Sequence, residues 1–573
     1  MSAPPSAVRA GFDPSISPAA SPRAKKFAGS LVVLLILIGM LRIIATYWVF
    51  SQTADEPAHL AAGMEWLDRG RYRYEPQHPP LPRVAVAIGP YLDGLRSFGS
   101  GRMSREGNRI LEARGTYGRN LALARAGTLP FFVIACVVVW LWARRLFGPA
   151  PAVASVALFS LLPPVLAHSG LATTDMALAA TLPAAFLAFT SWLEGPTSRQ
   201  SIVLGVCLGL ALLSKMSAVA FIPLGFLGVI ACRWFFERFG IASDRPSQPT
   251  PVIPTGWRNL VLVAGFLCLT IWAGYRFSLV RPAPLHGIPV PAFEFFKGVY
   301  QVQQHNAEGH PAYLLGELSS KGWWYFFPVT LAVKTPLAFL LLAGLGLFLL
   351  ARSFRGRSDW PYWVPAVGAA AILAVAMMGN IDIGVRHVLP VYTFVALYAG
   401  HAVVWAWNRP EKRGWFRAAL GGLGLWLIGS TTRIHPDYLA YFNELAGDHP
   451  ERILVNTDLC WGQDYFRLID TLRARGIDSV WVAYHGSIDE ERHQLPGMHD
   501  LPLNQRVTGW VAASARELKG VKYHGHEWIG AYPPVTRIGY SIWLFYVPPD
   551  SAGGATPLSR PPGAPGSTPD SSH

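Results

Sequence analysis

The chain has 573 residues, of which 51% are hydrophobic and only 15% charged, and its mean hydropathy is +0.28. Soluble domains carry about 25% charged residues, so this composition excludes an ordinary soluble protein and points to a polytopic membrane protein. The formal charge of +14 comes in short basic clusters between apolar runs, which is how topology signals are laid out; nucleic acid is not an expected partner.

Residues 1–26 are rich in Pro, Ser and Ala and end in Arg23, Lys25 and Lys26, which reads as a disordered cytoplasmic tail. The run FAGSLVVLLILIGMLRIIATYWVF (27–50) follows. It is long enough to cross a bilayer, for which about 20 residues suffice. Further apolar runs fall near 118–143, 149–167, 176–193, 201–215, 217–235, 257–277, 325–350, 361–379, 388–407 and 416–431, making eleven in all. Every second connection is basic: Arg144-Arg145, Arg199, Arg233 to Arg258, Arg352/Arg355/Arg357, and Arg409/Lys412/Arg413. Cytoplasmic loops carry this excess, so the N-terminus is expected inside. The other connections then lie outside: 51–117, 168–175, the Ser214-Lys215 turn, 278–324, 380–387 and everything after about 432.

After 432 the composition becomes soluble. ILVNT (453–457) and SVWVAYHG (479–486) read as strands around an amphipathic helix, DYFRLIDTLRARG (464–476), and so as a βαβ unit. VTGWVAAS and YSIWLFYV are further strand candidates. The expected fold is a polytopic α-helical membrane protein of about eleven transmembrane helices over 27–431, with large external loops at 51–117 and 278–324. A small external α/β domain spans 432–548, for acceptor binding or lid closure, and a disordered tail covers 549–573. Five cysteines, odd in number and scattered, give neither a disulfide framework nor a metal spacing.

The external connections also hold nearly all the unusual polar residues. Asp55-Glu56 follows the first run directly, and His59 lies one helical turn on if 56–69 is an interfacial helix. A carboxylate there can act as a general base, ligate a cation, or simply cap the helix. Glu75, His78 and Arg83 surround the rigid Pro79-Pro80 step, where His78 or Arg83 could meet a phosphate. Asp175 opens a span after His168 in the same short turn, and Lys215 interrupts apolar sequence on both sides. Ionisable groups at such places pair, bind an ion or cap a helix. Asp382, Arg386 and His387 share the tight turn NIDIGVRHVLP, where Arg386 can take phosphate oxygens or close a pair with Asp382. His305 and His310 lack metal-binding helical spacing. No P-loop or Rossmann glycine pattern is present, so energy comes from a pre-activated donor or a gradient.

An Asp-Glu pair after the first span, a Pro-Pro-Leu segment in the first external loop and a Thr-Thr-Asp in the second resemble the dolichyl-phosphate-mannose–protein mannosyltransferase superfamily. Its bacterial members include the lipid A aminoarabinose transferases, GT-C glycosyltransferases that use polyprenyl-phosphate sugars. LLSKMSA, IWAGYRF, YLLGELSSKGWWYFFPVTLAVKTP, GVRHVLP and HPDYLAYFNELAG are similar to its large bacterial branch, and NTDLCWGQDYFRL to that branch's DSNLDWGQDL segment. The resemblance implies a GT-C fold and a catalytic set of Asp55, its neighbour Glu56, and Asp175. It implies that Lys215 and Arg386 hold the donor phosphate. From their place in the external connections, His78 and Arg83 are further candidates for that phosphate, and His59, Glu75 and His387 for acceptor or other contacts. If a divalent metal ion takes part, Asp55 and Asp175 are its ligands. Two features depart from the pattern. His78 stands where aminoarabinose transferases commonly have Lys, and Asn456, Asp458 and Cys460 replace the usual Asp, Asn and Asp.

The implied function is transfer of a sugar from a polyprenyl-phosphate donor to a hydroxyl of a glycan, lipid or protein, with inversion, at the periplasmic face of a bacterial inner membrane. The rival is a transporter or flippase, which calls for charge near the bilayer midplane and an internal repeat. The sequence shows no such repeat.

Overall fold

The computed structural model describes residues 22–239, 256–282, 287–353, 360–410, 413–521 and 523–549. The expected tails at 1–26 and 549–573 lie outside these residues, except for 549 and for 22–26, which already belong to the first helix. Arg355, Arg357 and Lys412 lie outside them too.

Each apolar run coils into helix: Pro22–Ile44, Tyr117–Ala126 with Leu129–Phe147, Pro149–Ser160 with Pro163–Ser169, Asp175–Glu194, Ser198–Ser214, Ala218–Arg238, Trp257–Gly274, Phe326–Lys334 with Leu337–Ser353, Val364–Met377, Pro390–Trp407 and Arg413–Arg433. The eleven expected runs differ in the length of helix they form. Among the described residues, five helices are long and apolar enough to cross a membrane, or up to seven if each of two bent pairs is one span. The bends are 66° between Pro149–Ser160 and Pro163–Ser169, and 117° between Phe326–Lys334 and Leu337–Ser353. Proline explains the second. Pro336 has no N–H to continue the ladder and disfavours helix at Thr335. The carbonyls left over are satisfied from elsewhere: Asn443 donates from Nδ2 to Ala332 O at 2.5 Å and to Thr335 O at 2.7 Å, and from its backbone to Val333 O at 2.8 Å.

Helix Asp175–Glu194 forms the centre of the bundle. Phe186 meets Phe226 and Phe394 edge to face, and Thr393 Oγ1 donates to Ala179 O at 2.9 Å. Trp257–Gly274, at the margin, has no buried residue and exposes Leu260, Val261 and Leu269, a surface suited to lipid.

The two ends of the central helix differ in chemistry. Glu194 pairs with Arg145, Leu193 O accepts from Arg233 Nη1 at 2.6 Å, and Arg233 lies over Trp360. Asp175, at the opposite end, bonds to Lys215. The basic turns and the suspicious polar residues therefore separate to opposite ends of one helix.

The expected interfacial helix at 56–69 is present as Glu56–Arg69 and packs with Pro80–Leu92 and Met103–Leu111 around Leu60, Met64, Val86 and Ile110. Gly63 permits this approach, because a Cβ there would overlap the Arg83 carbonyl. In 278–324, β1 (Leu279–Val280) pairs with β2 (Val290–Pro291), and β3 (Ala312–Leu314) with β4 (Glu317–Ser319), flanking helix Phe293–Glu308.

The C-terminal sheet comprises β5 (Val480–Ala483), β6 (Met498–Asp500), β7 (Gly509–Ser514), β8 (Thr536–Ile538) and β9 (Ile542–Val547), in the order β6-β5-β7-β9-β8. β5 runs parallel to β6 and β7, whereas β9 runs antiparallel to β7 and β8. Helix Tyr465–Ala474 covers it through Tyr465, Leu468, Ile469 and Leu472. The expected βαβ unit is not formed, because 453–457 is no strand. Asn456–Leu459 is a single helical turn, and Thr457 N–H bonds Ile383 O at 3.2 Å in another segment altogether. Its β-favouring residues yield to that tertiary contact.

Candidate functional site

Asp55 stands at the N-cap of Glu56–Arg69 but makes no capping bond. Its Oδ2 accepts instead from Arg386 Nη1 at 2.8 Å. The same nitrogen is 4.0 Å from Asp175 Oδ2, and Asp175 Oδ1 accepts from Lys215 Nζ at 2.6 Å. Asp55, Arg386, Asp175 and Lys215 thus form a row of alternating charge drawn from four separate stretches of sequence. Asp175 is 1% exposed at its side chain and Asp55 35%, so the row opens outward at Asp55. The Trp461 ring lies against the Arg386 guanidinium, 4.3 Å from centroid to Cζ.

Burial acts to raise the Asp55 carboxyl, but the Arg386 guanidinium outweighs it and holds the group down at about 2. It is ionised at neutral pH. His59, His78 and His387 are each kept well below their ordinary range, first by burial and then by nearby cations: Arg83 for His59 and His78, Lys215 for His387. They are neutral. His59 and His78 meet edge to face at 5.2 Å. Arg83 Nε donates to His59 Nδ1 at 3.0 Å, which places the His59 proton on Nε2. Asp175 Oδ2, Arg386 Nε, His78 Nδ1 and His168 Nδ1 are buried atoms without a hydrogen-bond partner among the described residues. Buried polar atoms are normally satisfied, so each of these four can take a further polar partner.

Other expected site residues are used differently. Glu56 turns away from Asp55 and is saturated: Arg125 Nε and Nη2 each donate to it at 2.8 Å, Thr53 N–H at 2.7 Å and Ala172 N–H at 2.8 Å. It fastens the first loop to the bundle, and this geometry gives it no free lone pair for catalysis. Arg83 is fully buried, pairs with Glu75, and also donates to Tyr72 OH and Glu75 O. The expectation that Arg83 meets a phosphate, with Glu75 beside the acceptor, is replaced by an internal pair that supports His59. Asp382 does not pair with Arg386; its Oδ2 accepts from Trp323 N–H at 2.7 Å.

Among the described residues, no group of three or more His, Cys, Asp or Glu side chains is arranged to hold a metal ion. Asp55 and Asp175 are neutralised by Arg386 and Lys215, and a divalent cation would have to displace both. The donor set does not fit a metal.

Sequence reasoning missed Trp461 and Asp458 as contributors to this site, together with Lys334 and Arg125. Lys334 carried the same signal as Lys215, a lysine inside an apolar run (TLAVKTP). It is buried and donates to Leu439 O at 2.8 Å and Asp458 O at 2.6 Å.

Residues 118–240, which include both Asp175 and Lys215, match the family model described as dolichyl-phosphate-mannose-protein mannosyltransferase. No curated protein matches significantly. Among solved structures, ArnT from Cupriavidus metallidurans in the apo state is similar with a TM-score of 0.49 and 13% identity, covering 92% of this chain and 99% of that one. ArnT bound to undecaprenyl phosphate gives 0.47 and 13% with the same coverage. The oligosaccharyltransferase AglB from Archaeoglobus fulgidus, in complex with an inhibitory peptide and a dolichol-phosphate, gives 0.47 and 14%, covering 87% of this chain and 70% of that one.

Proposed function

We propose that this protein is a membrane glycosyltransferase that moves a sugar from a polyprenyl-phosphate donor to an acceptor hydroxyl of a glycan, lipid or protein. The mannosyltransferase family match supports glycosyl transfer in general. The observation that carries the finer reading is the Asp55–Arg386 pair set beside Asp175–Lys215, one anion open to solvent and two buried cations within one site.

The chemistry follows from those charges. The acceptor hydroxyl gives its proton to Asp55 while its oxygen attacks the anomeric carbon. The bond from that carbon to the phosphate oxygen breaks, and the electron pair leaves on the polyprenyl phosphate. Arg386 and Lys215 stabilise that charge electrostatically, where buried cations act strongly. A single displacement inverts the anomeric centre. A carboxylate held at about 2 is a weak base. A donor phosphate competes with Asp55 for Arg386, and losing that cation raises the basicity of the carboxylate when substrate is present. His78 and His387, both neutral, can offer hydrogen bonds to the same phosphate.

The basic turns at the Glu194 end support a cytoplasmic position for that end, and with it a site on the periplasmic side of a bacterial inner membrane. The test is transfer or hydrolysis by purified protein given a panel of radiolabelled polyprenyl-phosphate sugars, with Asp55→Asn alongside. Turnover of one donor that disappears in the variant is the expected result. No turnover and no binding across the panel would favour a transporter.

A further inference from the structure

The C-terminal domain reaches both ends of the Asp55–Arg386 pair through one short segment. On the Asp55 side, Ala54 N–H bonds Trp461 O at 2.9 Å and Ser51 N–H bonds Gln463 O at 3.1 Å. Ser51 Oγ donates to Gly462 O at 2.9 Å and accepts from Tyr465 N–H at 3.1 Å. Ser487 adds a bond from its Oγ to Thr53 O at 3.2 Å and accepts from Gln52 Nε2 at 2.9 Å. The strap that ends at Asp55 is therefore fastened residue by residue to 461–465 and 487.

On the Arg386 side, Thr457 N–H bonds Ile383 O at 3.2 Å, and Asp458 Oδ1 accepts from Val385 N–H at 3.0 Å. Between them lies Gly384, with φ of +149°, where a Cβ would strike Thr457 Oγ1. Glycine is required for so close an approach. Asp458 is anchored in turn by Lys334, whose ammonium takes its backbone carbonyl. Trp461, 2% exposed, then lies against the Arg386 guanidinium, its ring centroid 4.3 Å from Cζ.

We infer that residues 457–463 are a positioning bracket for the active site. Trp461 and Asp458 set Arg386 so that its in-plane N–H edge meets a phosphate, while the Trp461 carbonyl sets the strap that carries Asp55. A ring held against a guanidinium fixes how it is turned, and the N–H groups directed away from the ring form the fork that matches phosphate oxygens. The domain is then a fixed part of the catalytic centre, in place of the acceptor-binding or lid role expected from sequence. This rests on the reading above that Arg386 holds the donor phosphate.

The test compares binding of undecaprenyl phosphate with binding of uncharged undecaprenol to the full chain in nanodiscs. Wild type, Trp461→Leu, Trp461→Phe and Arg386→Ala are measured, with thermal midpoints recorded for each. Wild type is expected to prefer the phosphate, and Trp461→Leu to lose about 10-fold of that preference, the scale of a desolvated cation–π contact. Trp461→Phe, which keeps an aromatic ring and is the milder change to the fold, should lose less than half as much. Damage to the fold alone lowers binding of both lipids together and leaves their ratio unmoved. If Arg386→Ala abolishes the preference and both Trp461 variants keep it in full, the bracket is wrong and the phosphate reading stands. If Arg386→Ala also keeps it, both fall.

Discussion

Asp55 Oδ2 and Arg386 Nη1 meet at 2.8 Å although 331 residues separate them in the chain. The contact joins the end of the strap that follows helix Pro22–Ile44 to a turn just before helix Pro390–Trp407. It holds the only substantially exposed carboxylate of the charged row against a cation that an incoming phosphate would also seek. The pair is both the resting state of the proposed base and the point at which donor binding would release it.

Adjacent carboxylates should behave oppositely. Glu56→Gln leaves Arg125 buried with a neutral partner, and breaking such a pair costs about 3–5 kcal/mol. Its loss of activity should track loss of folded protein, read as a lowered unfolding midpoint in detergent. Asp55→Asn removes a half-exposed carboxylate and should leave the midpoint nearly unchanged.

Asp175 and Lys215 form a buried pair, so either single change should destabilise more than both together. Lys215→Met strands the Asp175 carboxylate, with a cost of about 3–5 kcal/mol. Asp175→Asn/Lys215→Met should recover much of that, short of all of it because Arg386 also lies 4.0 Å from Asp175. A double-mutant cycle on unfolding midpoints reads the coupling.

Arg386→Lys keeps the charge but loses the planar fork and the stack on Trp461. Donor KM is expected to rise about 10-fold, the scale of that stacking contact, with the overall fold retained. An unchanged KM would show that Arg386 does not meet the donor.

The histidines give stability a pH dependence of known sign. His310 falls from its ordinary 6.5 to about 3, through burial first and then Arg516. Its folded form resists protonation, so the unfolded chain binds the proton first. The stability this provides is complete above pH 6.5 and declines as pH falls towards about 3. The difference in unfolding midpoint between wild type and His310→Gln should therefore shrink steadily as pH is lowered from 7 to 4. Folded Asp55, held at about 2, stays ionised over that range and adds slope only near pH 4, where the unfolded carboxyl, ordinarily at 3.8, takes up protons first; that contribution is common to both proteins.

Helices and charges that stand out against apolar surroundings could be read from the sequence, and partnerships across the fold could not. Asp175 and Lys215 were visible because a charge inside an apolar run must find a partner. Alternating basic turns correctly foretold that Arg145 and Lys215 lie at opposite ends of the bundle. Glu56 looked equivalent to Asp55 because nothing local shows that Arg125, 69 residues later, saturates it. ILVNT looked like a strand because its β-favouring side chains are local information, whereas its attachment to Ile383 is not. Trp461 was hidden for the same reason: its partner Arg386 belongs to a different segment of the fold.

The most direct measurement takes whichever donor proves active and compares its binding and single-turnover transfer in wild type and Asp55→Asn. The account predicts that the variant folds and binds donor at least as tightly as wild type, because Asp55 no longer competes for Arg386, but transfers sugar about 10²–10⁴-fold more slowly, the usual worth of a positioned base. A well-folded Asp55→Asn protein that transfers sugar at the wild-type rate would contradict it.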